Sequence, residues 1–175
     1  MEMEDQFFNL IKNGNVQEIQ EFYNNNPSID ISADQEYAFC YACGFGLLEV
    51  AKWLLEIKPD IDISINNESP FRWACGEGHL EVTRWLLEIK PDINISADNE
   101  HAFRCVCAHG HLHAAKWLLE IKPDIDISAE NNNAFFSACR HKNEDVALWL
   151  SKLNSKYVVV IKNENIIVDY YVKII

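Results

Sequence analysis

The sequence predicts a mostly α protein, an α-solenoid of about five helix-turn-helix units with finger loops, followed by a C-terminal β-hairpin. Three residue types recur every 32 residues, and a unit this short must stack on copies of itself to bury an apolar face. The recurring positions are Trp53, Trp85, Trp117 and Trp149; Pro27, Pro59, Pro91 and Pro123; and Cys43, Cys75, Cys107 and Cys139. The last 21 residues leave this pattern and are rich in β-branched and aromatic side chains.

The period divides the chain into six segments. We expect a degenerate N-terminal capping repeat at 1–32, full repeats at 33–64, 65–96 and 97–128, a C-terminal capping repeat at 129–154 and a hairpin tail at 155–175. Atypical end units are expected because they meet solvent on one side.

Each repeat contains two helical patterns. In the third copy, Phe71, Ala74 and Cys75 share one face of the first helix, and an apolar stripe from Leu80 to Leu87 marks the second. Glycine at 46, 78 and 110 predicts a tight turn with positive φ between them. Proline at 59, 91 and 123 ends the second helix.

A finger follows each second helix. The run Ile-Asp/Asn-Ile-Ser predicts a short extended segment leading into a turn. Asn67, Asn99 and Asn131 stand in that turn, and asparagine tolerates left-handed backbone better than most residues.

The sequence of the repeat resembles the ankyrin repeat family over residues 4–154. Ser69–Cys75 is similar to its Thr-Pro-Leu-His-x-Ala-Ala signature, Gly78–Val82 to its Gly-His-Leu-Glu-Val run, and Asp92–Asn94 to its Asp-Val-Asn. Arg72 and Arg104 replace the signature His, which forms a local His–Thr hydrogen bond in the family. The Ile-, Asn- and Lys-rich loops also resemble ankyrin arrays of large DNA viruses of protists.

Composition limits the classes of partner and the cellular location that we expect. The net charge of −12 opposes binding to phosphate backbones and favours a basic protein surface. The chain has no apolar run of membrane-spanning length and no signal-peptide pattern, so we expect a cytoplasmic protein, in the host cytoplasm if it is viral. The recurrent cysteines would lie about 8–10 Å apart on stacked helices, too far for disulfides, and are interpreted as core thiols.

The resemblance implies a non-enzymatic module that binds a protein through a concave groove, lined by the first helices, and through its fingers. Variable aromatic positions in the first helix suggest anchors, and glutamates at the finger tips suggest an acidic edge with two arginines behind it. The candidate partner-binding residues are Glu36, Tyr37, Tyr41, Phe45, Glu68, Arg72, Trp73, Glu77, Glu100, His101 and Arg104.

Other chemistry is less favoured. No catalytic constellation recurs, and we expect neither an enzyme nor a cofactor. His109, His113 and His141 could approach one another as zinc ligands, but turn histidines are the simpler interpretation. Likewise, the spacing around Asn94 resembles that of ankyrin asparagines modified by hydroxylases, although a turn asparagine bonding its own backbone is favoured. The tryptophan stripe is interpreted as packing.

The tail predicts a hairpin, with strands at Tyr157–Lys162 and Ile166–Val172 and a turn at Asn163–Asn165. A lone hairpin is marginal in water, so it either covers the last repeat or pairs with another chain. We favour the cap, and hence a monomer. An adaptor that recruits targets to a host ubiquitin ligase is the alternative function, weakened because this tail is not a helical segment.

Overall fold

The computed structural model describes residues 3–162 and 167–172 and confirms the mostly α fold class. Within these residues ten helices precede two strands. They are α1 (Met3–Asn13), α2 (Val16–Asn25), α3 (Ala33–Gly44), α4 (Leu48–Ile57), α5 (Ile65–Gly76), α6 (Leu80–Ile89), α7 (Ala97–Ala108), α8 (Leu112–Ile121), α9 (Ala129–Arg140), α10 (Glu144–Leu153), β1 (Tyr157–Lys162) and β2 (Ile167–Val172).

The chain divides into two compact units. The first unit comprises Met1–Ala74 and His79–Asn94, and the second comprises Cys75–Gly78 and Ile95–Ile175. In the first unit α1 packs on α2 and on α3, and α3 packs on α4. In the second, α7 packs on α8 and α9, and α9 packs on α10. First helices therefore contact first helices within each unit, as stacking of like on like requires.

The core of each repeat is built from the same positions. Phe7, Phe39, Phe71, Phe103 and Phe135 are each at most 1% exposed. Each unit places an upstream phenylalanine against a tryptophan 46 residues later. The ring-centroid distances are 6.4 Å for Phe7–Trp53 and 6.3 Å for Phe39–Trp85 in the first unit, and 6.3 Å for Phe103–Trp149 in the second. The interpretation of these three tryptophans as packing residues is confirmed.

The cysteines belong to this core. All six lie among the described residues and none forms a disulfide; five of them are buried, and Cys105 is partly exposed. Burial raises the pKa of Cys40 and of Cys139 to about 11, and it raises the pKa of Cys43 above its ordinary value. The interpretation of the recurrent cysteines as core thiols is confirmed.

Glycine is required in these turns for two reasons, a positive φ and the close approach of a neighbouring side chain. Gly46, Gly78 and Gly110 have φ of +70°, +80° and +81°, as predicted. A Cβ on Gly46 would also lie 2.5 Å from Nδ1 of His79, whose ring packs there. At their own helices, His79 and His111 form no side-chain cap hydrogen bond. Lys142 occupies the matching turn of the last repeat with φ of +61°.

The finger turns differ from the prediction. Instead of one left-handed asparagine, three consecutive residues take positive φ in each of the three fingers 66–68, 98–100 and 130–132. Asn67, Asn99 and Asn131, the central residues, have φ of 56°, 53° and 56°. Left-handed backbone costs an ordinary residue about 1–2 kcal/mol, so each run needs support from elsewhere in the fold.

The tail lies against the last repeat. β1 and β2 pair antiparallel, from Tyr157 opposite Val172 to Lys162 opposite Ile167, and the predicted turn at 163–165 lies outside the described residues. β1 packs on α10 and β2 on α9. Tyr157 stacks on Phe135 at 4.3 Å, and its hydroxyl donates to Asn132 Oδ1 at 2.9 Å. The hairpin therefore contacts the last repeat, as the cap interpretation requires.

Candidate functional site

Five aromatic side chains form a surface cluster in the first unit, here called the aromatic ridge: Phe8, Tyr37, Tyr41, Phe45 and Trp73. Phe8 meets Tyr37 edge-on with centroids 5.4 Å apart, and Tyr37 lies 5.9 Å from Tyr41. Tyr41 stacks on Phe45 at 4.1 Å and 14°. The sequence singled out four of these residues, and the structure brings Tyr37, Tyr41 and Phe45 into one continuous row.

Trp73 extends the ridge from the next repeat. Its ring covers Gly44, because a Cβ built on Gly44 would lie 3.1 Å from Trp73 Cε3 and 3.2 Å from Trp73 Cβ. The absence of a side chain at Gly44 thus lets Trp73 pack closely on α3. Trp73 is still 41% exposed and Phe45 57% exposed, so both rings offer surface to a ligand.

The ammonium group of Lys12 lies over one ring of the ridge. Nζ of Lys12, in α1, lies 6.0 Å from the centroid of the Tyr41 ring, at the outer limit of a cation–π contact. Neither Lys12 nor Phe8 was among the predicted site residues, because the first repeat is too degenerate to align by its motif. A second aromatic directly after the periodic Phe7 was the one available signal.

The predicted acidic finger tips do not exist as an exposed edge. Glu68 and Glu100 are only 9% and 8% exposed, and Glu36 is partly buried. Glu68 Oε1 accepts the backbone N–H of Asn94 at 3.3 Å, and Glu100 Oε1 that of Asp126 at 3.4 Å. Each glutamate thus joins its own finger to the next finger along the chain. The expectation that Glu68 and Glu100 are exposed at the finger tips is wrong, and their contact with a partner stays a prediction.

Glu36 makes the equivalent link at the start of the array. Burial raises the pKa of its carboxyl, while the hydrogen bond from the Asp62 backbone N–H opposes that shift. One oxygen of each of the three carboxyls, Oε2, is buried without a hydrogen-bond partner among the described residues. The glutamates therefore serve the fold at an electrostatic cost.

The two arginines brace the left-handed turns. Arg72 donates from Nε to Asn67 O at 2.7 Å and from Nη2 to Asn66 O at 2.9 Å. Arg104 repeats the arrangement on Asn99 O at 2.8 Å and Asp98 O at 3.0 Å. A planar fork suits two carbonyls that follow one another in a tight turn. The mixed-charge groove expected from glutamates and arginines is thereby replaced by internal bonds.

The remaining candidates lie in the second unit. His101 contacts the Cys105 sulfur, which lies 3.5 Å from Nδ1. Glu77 Oε1 lies 3.5 Å from Nδ1 of His109, and both side chains are about half exposed. The structure therefore gathers Glu77 with His109, and His101 with Cys105, rather than with the finger glutamates.

The turn histidines have backbone partners. Nδ1 of His109 lies 2.9 Å from Gly76 O, and Nδ1 of His141 lies 2.9 Å from Ala108 O. Since a carbonyl only accepts, both Nδ1 atoms carry the proton. Within the described part of the chain no three His, Cys, Asp or Glu side chains are placed to hold a metal ion. No helix there is both long and apolar enough to cross a membrane.

Asn94 is exposed, and its backbone N–H is the group held by Glu68. Hydroxylation of its side chain stays a prediction.

Helix pairs stacked in register, joined by turns and finger loops, define an α-solenoid repeat protein. The chain belongs to the ankyrin repeat family: residues 7–99 match a family model described as ankyrin repeats (3 copies), and residues 107–150 match one described as ankyrin repeats (many copies). No curated protein matches the chain. Ankyrin repeats generally mediate protein–protein interactions, and no catalytic family is indicated.

Proposed function

We propose that this chain is a non-enzymatic module that binds a partner protein through the aromatic ridge. The observation that carries the proposal is that four rings form one row and Trp73 packs on Gly44 beside it, while Phe45 and Trp73 stay exposed. Large aromatic side chains supply most of the energy at protein interfaces, and contiguous exposed apolar surface marks such sites.

The ridge is ordered before a partner arrives. Tyr41 is held by its stack on Phe45, and Trp73 by its seat on Gly44. Side chains that are already fixed lose less conformational entropy on binding, so more of the contact energy appears as affinity. By contrast, Arg72 and Arg104 are engaged with carbonyls of their own turns, and of the two only Arg72 lies in a repeat that contributes to the ridge.

Capture of a partner tests the proposal. The double variant Tyr41→Ala, Trp73→Ala should lose at least tenfold in captured partner, because two central anchors are removed at about 2 kcal/mol each or more. Its melting temperature should stay within a few degrees, since neither ring belongs to the buried core. Ile89→Ala, an exposed apolar residue outside the ridge, is the matched control and should capture normally.

Two results would contradict the proposal. Unchanged capture by the folded double variant would remove the ridge as the binding surface. Unfolding of that variant would show that the aromatics are core residues. In that case Phe45→Ala, at a position 57% exposed, repeats the test without touching the packing on Gly44.

The tail supports a monomer. Because β1 and β2 pack on α10 and α9, the hairpin has an intramolecular surface to cover, and light scattering at high concentration should give the monomer mass. After α10 the elements of the described residues are the strands β1 and β2, so no observation favours the ubiquitin-ligase adaptor. A viral source and a cytoplasmic location stay predictions.

A further inference from the structure

We infer that the partner segment bound by the aromatic ridge carries arginine, whose guanidinium groups stack on the exposed rings. This inference rests on the proposed function and narrows it to one class of ligand. Three features of the first unit support it: its surface charge, the ring faces it presents, and the lysine already placed over one of them.

The first unit is strongly acidic at its surface. Among its described side chains eleven carboxylates are exposed, against three cations, Lys12, Lys52 and Arg84. Lys52 is already paired with Glu49 at 2.9 Å. Lys58 and Lys90, which are partly buried, are each held by a neighbouring aspartate. A cationic segment is therefore attracted to this unit and an acidic one repelled.

Charge alone does not distinguish lysine from arginine, but the ridge does. The Tyr41–Phe45 stack leaves Phe45 57% exposed, and Trp73 is 41% exposed, so aromatic surface is open to solvent in two adjacent repeats. A planar guanidinium gains both cation–π attraction and stacking on such a surface. An ammonium gains only the first, and it is more strongly hydrated.

Lys12 shows that the ridge accepts a cation. Its Nζ stands 6.0 Å from the Tyr41 ring, and the side chain is exposed, so an incoming guanidinium can displace it at little cost. Lys12 therefore acts as a weak internal competitor for the Tyr41 face. An apolar partner would gain nothing from the acidic surroundings and would bury that ammonium.

Two labelled peptides of equal charge test the inference, one alternating arginine with glycine and one alternating lysine with glycine. Fluorescence anisotropy should show the arginine peptide binding about fivefold tighter. That ratio should persist when salt is raised, although both affinities fall, because screening weakens the charge attraction much more than the stacking. In Lys12→Ala the ratio should rise, since the Tyr41 face is vacated.

The variant Phe45→Ala, Trp73→Ala should reduce the ratio to about one, whereas Ile89→Ala should leave it unchanged. Equal binding of the two peptides, no binding of the arginine peptide, or a preference that survives loss of both rings would each overturn the inference.

Failure of this inference can be distinguished from failure of the proposed function. A partner that cross-links to the ridge through a segment without arginine would overturn this inference and leave the proposed function standing. A partner whose capture ignores the ridge would overturn both.

Discussion

The arginine brace of the left-handed finger turns can be tested at Arg72. The three residues 66–68 have φ from 51° to 63°, and left-handed backbone costs roughly 3–6 kcal/mol for three ordinary residues. Arg72 offsets part of this through its bonds of 2.7 Å and 2.9 Å to two of their carbonyls. Hydrogen bonds with a charged donor contribute about 1.5–3 kcal/mol each when buried, and less here because the site is partly exposed.

We therefore expect Arg72→Ala to lower the free energy of unfolding by about 2 kcal/mol. Arg72→Lys should recover less than half of that loss, because an ammonium does not reproduce the planar fork over both carbonyls. Urea denaturation followed by circular dichroism gives the free energies. Hydrogen exchange supplies a local readout, since the Glu68 N–H that donates to Ser64 O at 3.1 Å should lose protection in both variants.

Arg140 is the control. It is exposed in the last turn of α9, and Arg140→Ala should change stability by no more than about 0.5 kcal/mol. If Arg72→Lys were as stable as the parent protein, or if Arg72→Ala cost no more than the control, the left-handed turn would not depend on the guanidinium and the reasoning would fail.

Three further perturbations have defined outcomes. Gly46→Ala should lower the free energy of unfolding by about 2 kcal/mol or more, because residue 46 has a positive φ and the new Cβ would lie 2.5 Å from a ring atom of His79. Lys142→Gly should instead raise the melting temperature slightly, because glycine tolerates the φ of +61° at that position. Thermal melts of the two variants test both expectations. Tyr157→Phe should lower the free energy of unfolding, measured by urea denaturation, by about 1 kcal/mol, because the hydroxyl hydrogen bonds are lost. An unchanged free energy would show that these bonds do not stabilise the tail. The pKa of Cys40 is raised to about 11, so the folded protein keeps this proton while the unfolded chain loses it above about pH 9, and stability should fall as pH rises through 9–11. A thiol reagent at neutral pH should modify the partly exposed Cys105 before the buried cysteines, which mass spectrometry can check.

The repeat architecture could be predicted from the sequence because its cause is local. Gly46 and Pro59 punctuate the helices by their own backbone chemistry, and the period aligns Phe39 with its copies. Those features survive without knowledge of any long-range contact, and the structure has them where the sequence predicted them.

The burial of the finger glutamates could not be predicted, because their partners are distant in sequence. Glu68 at a loop looks like a solvent-exposed charge, and only its bond to the Asn94 N–H, 26 residues on, turns it inward. Arg72 likewise looks like a groove residue until the three left-handed residues before it are known. The surface position of Tyr41 and Trp73 could be predicted because variation at their position within one chain signals freedom from the shared core, whereas Phe8 lies in a copy too divergent to compare.

The bond from Asn132 to Tyr157 has a consequence for how such an array can grow. In earlier copies the same position is a glutamate that reaches forward to the next finger, but in the last copy its oxygen is taken by the tail hydroxyl. Duplication of residues 97–128 would preserve this link, because Glu100 and the Asp126 N–H that it accepts both lie within that segment. A second copy of 129–154 would carry Asn132 in place of the glutamate and would lack the Tyr157 hydroxyl that occupies its oxygen, so we expect tandem expansion to be tolerated best in the interior repeats.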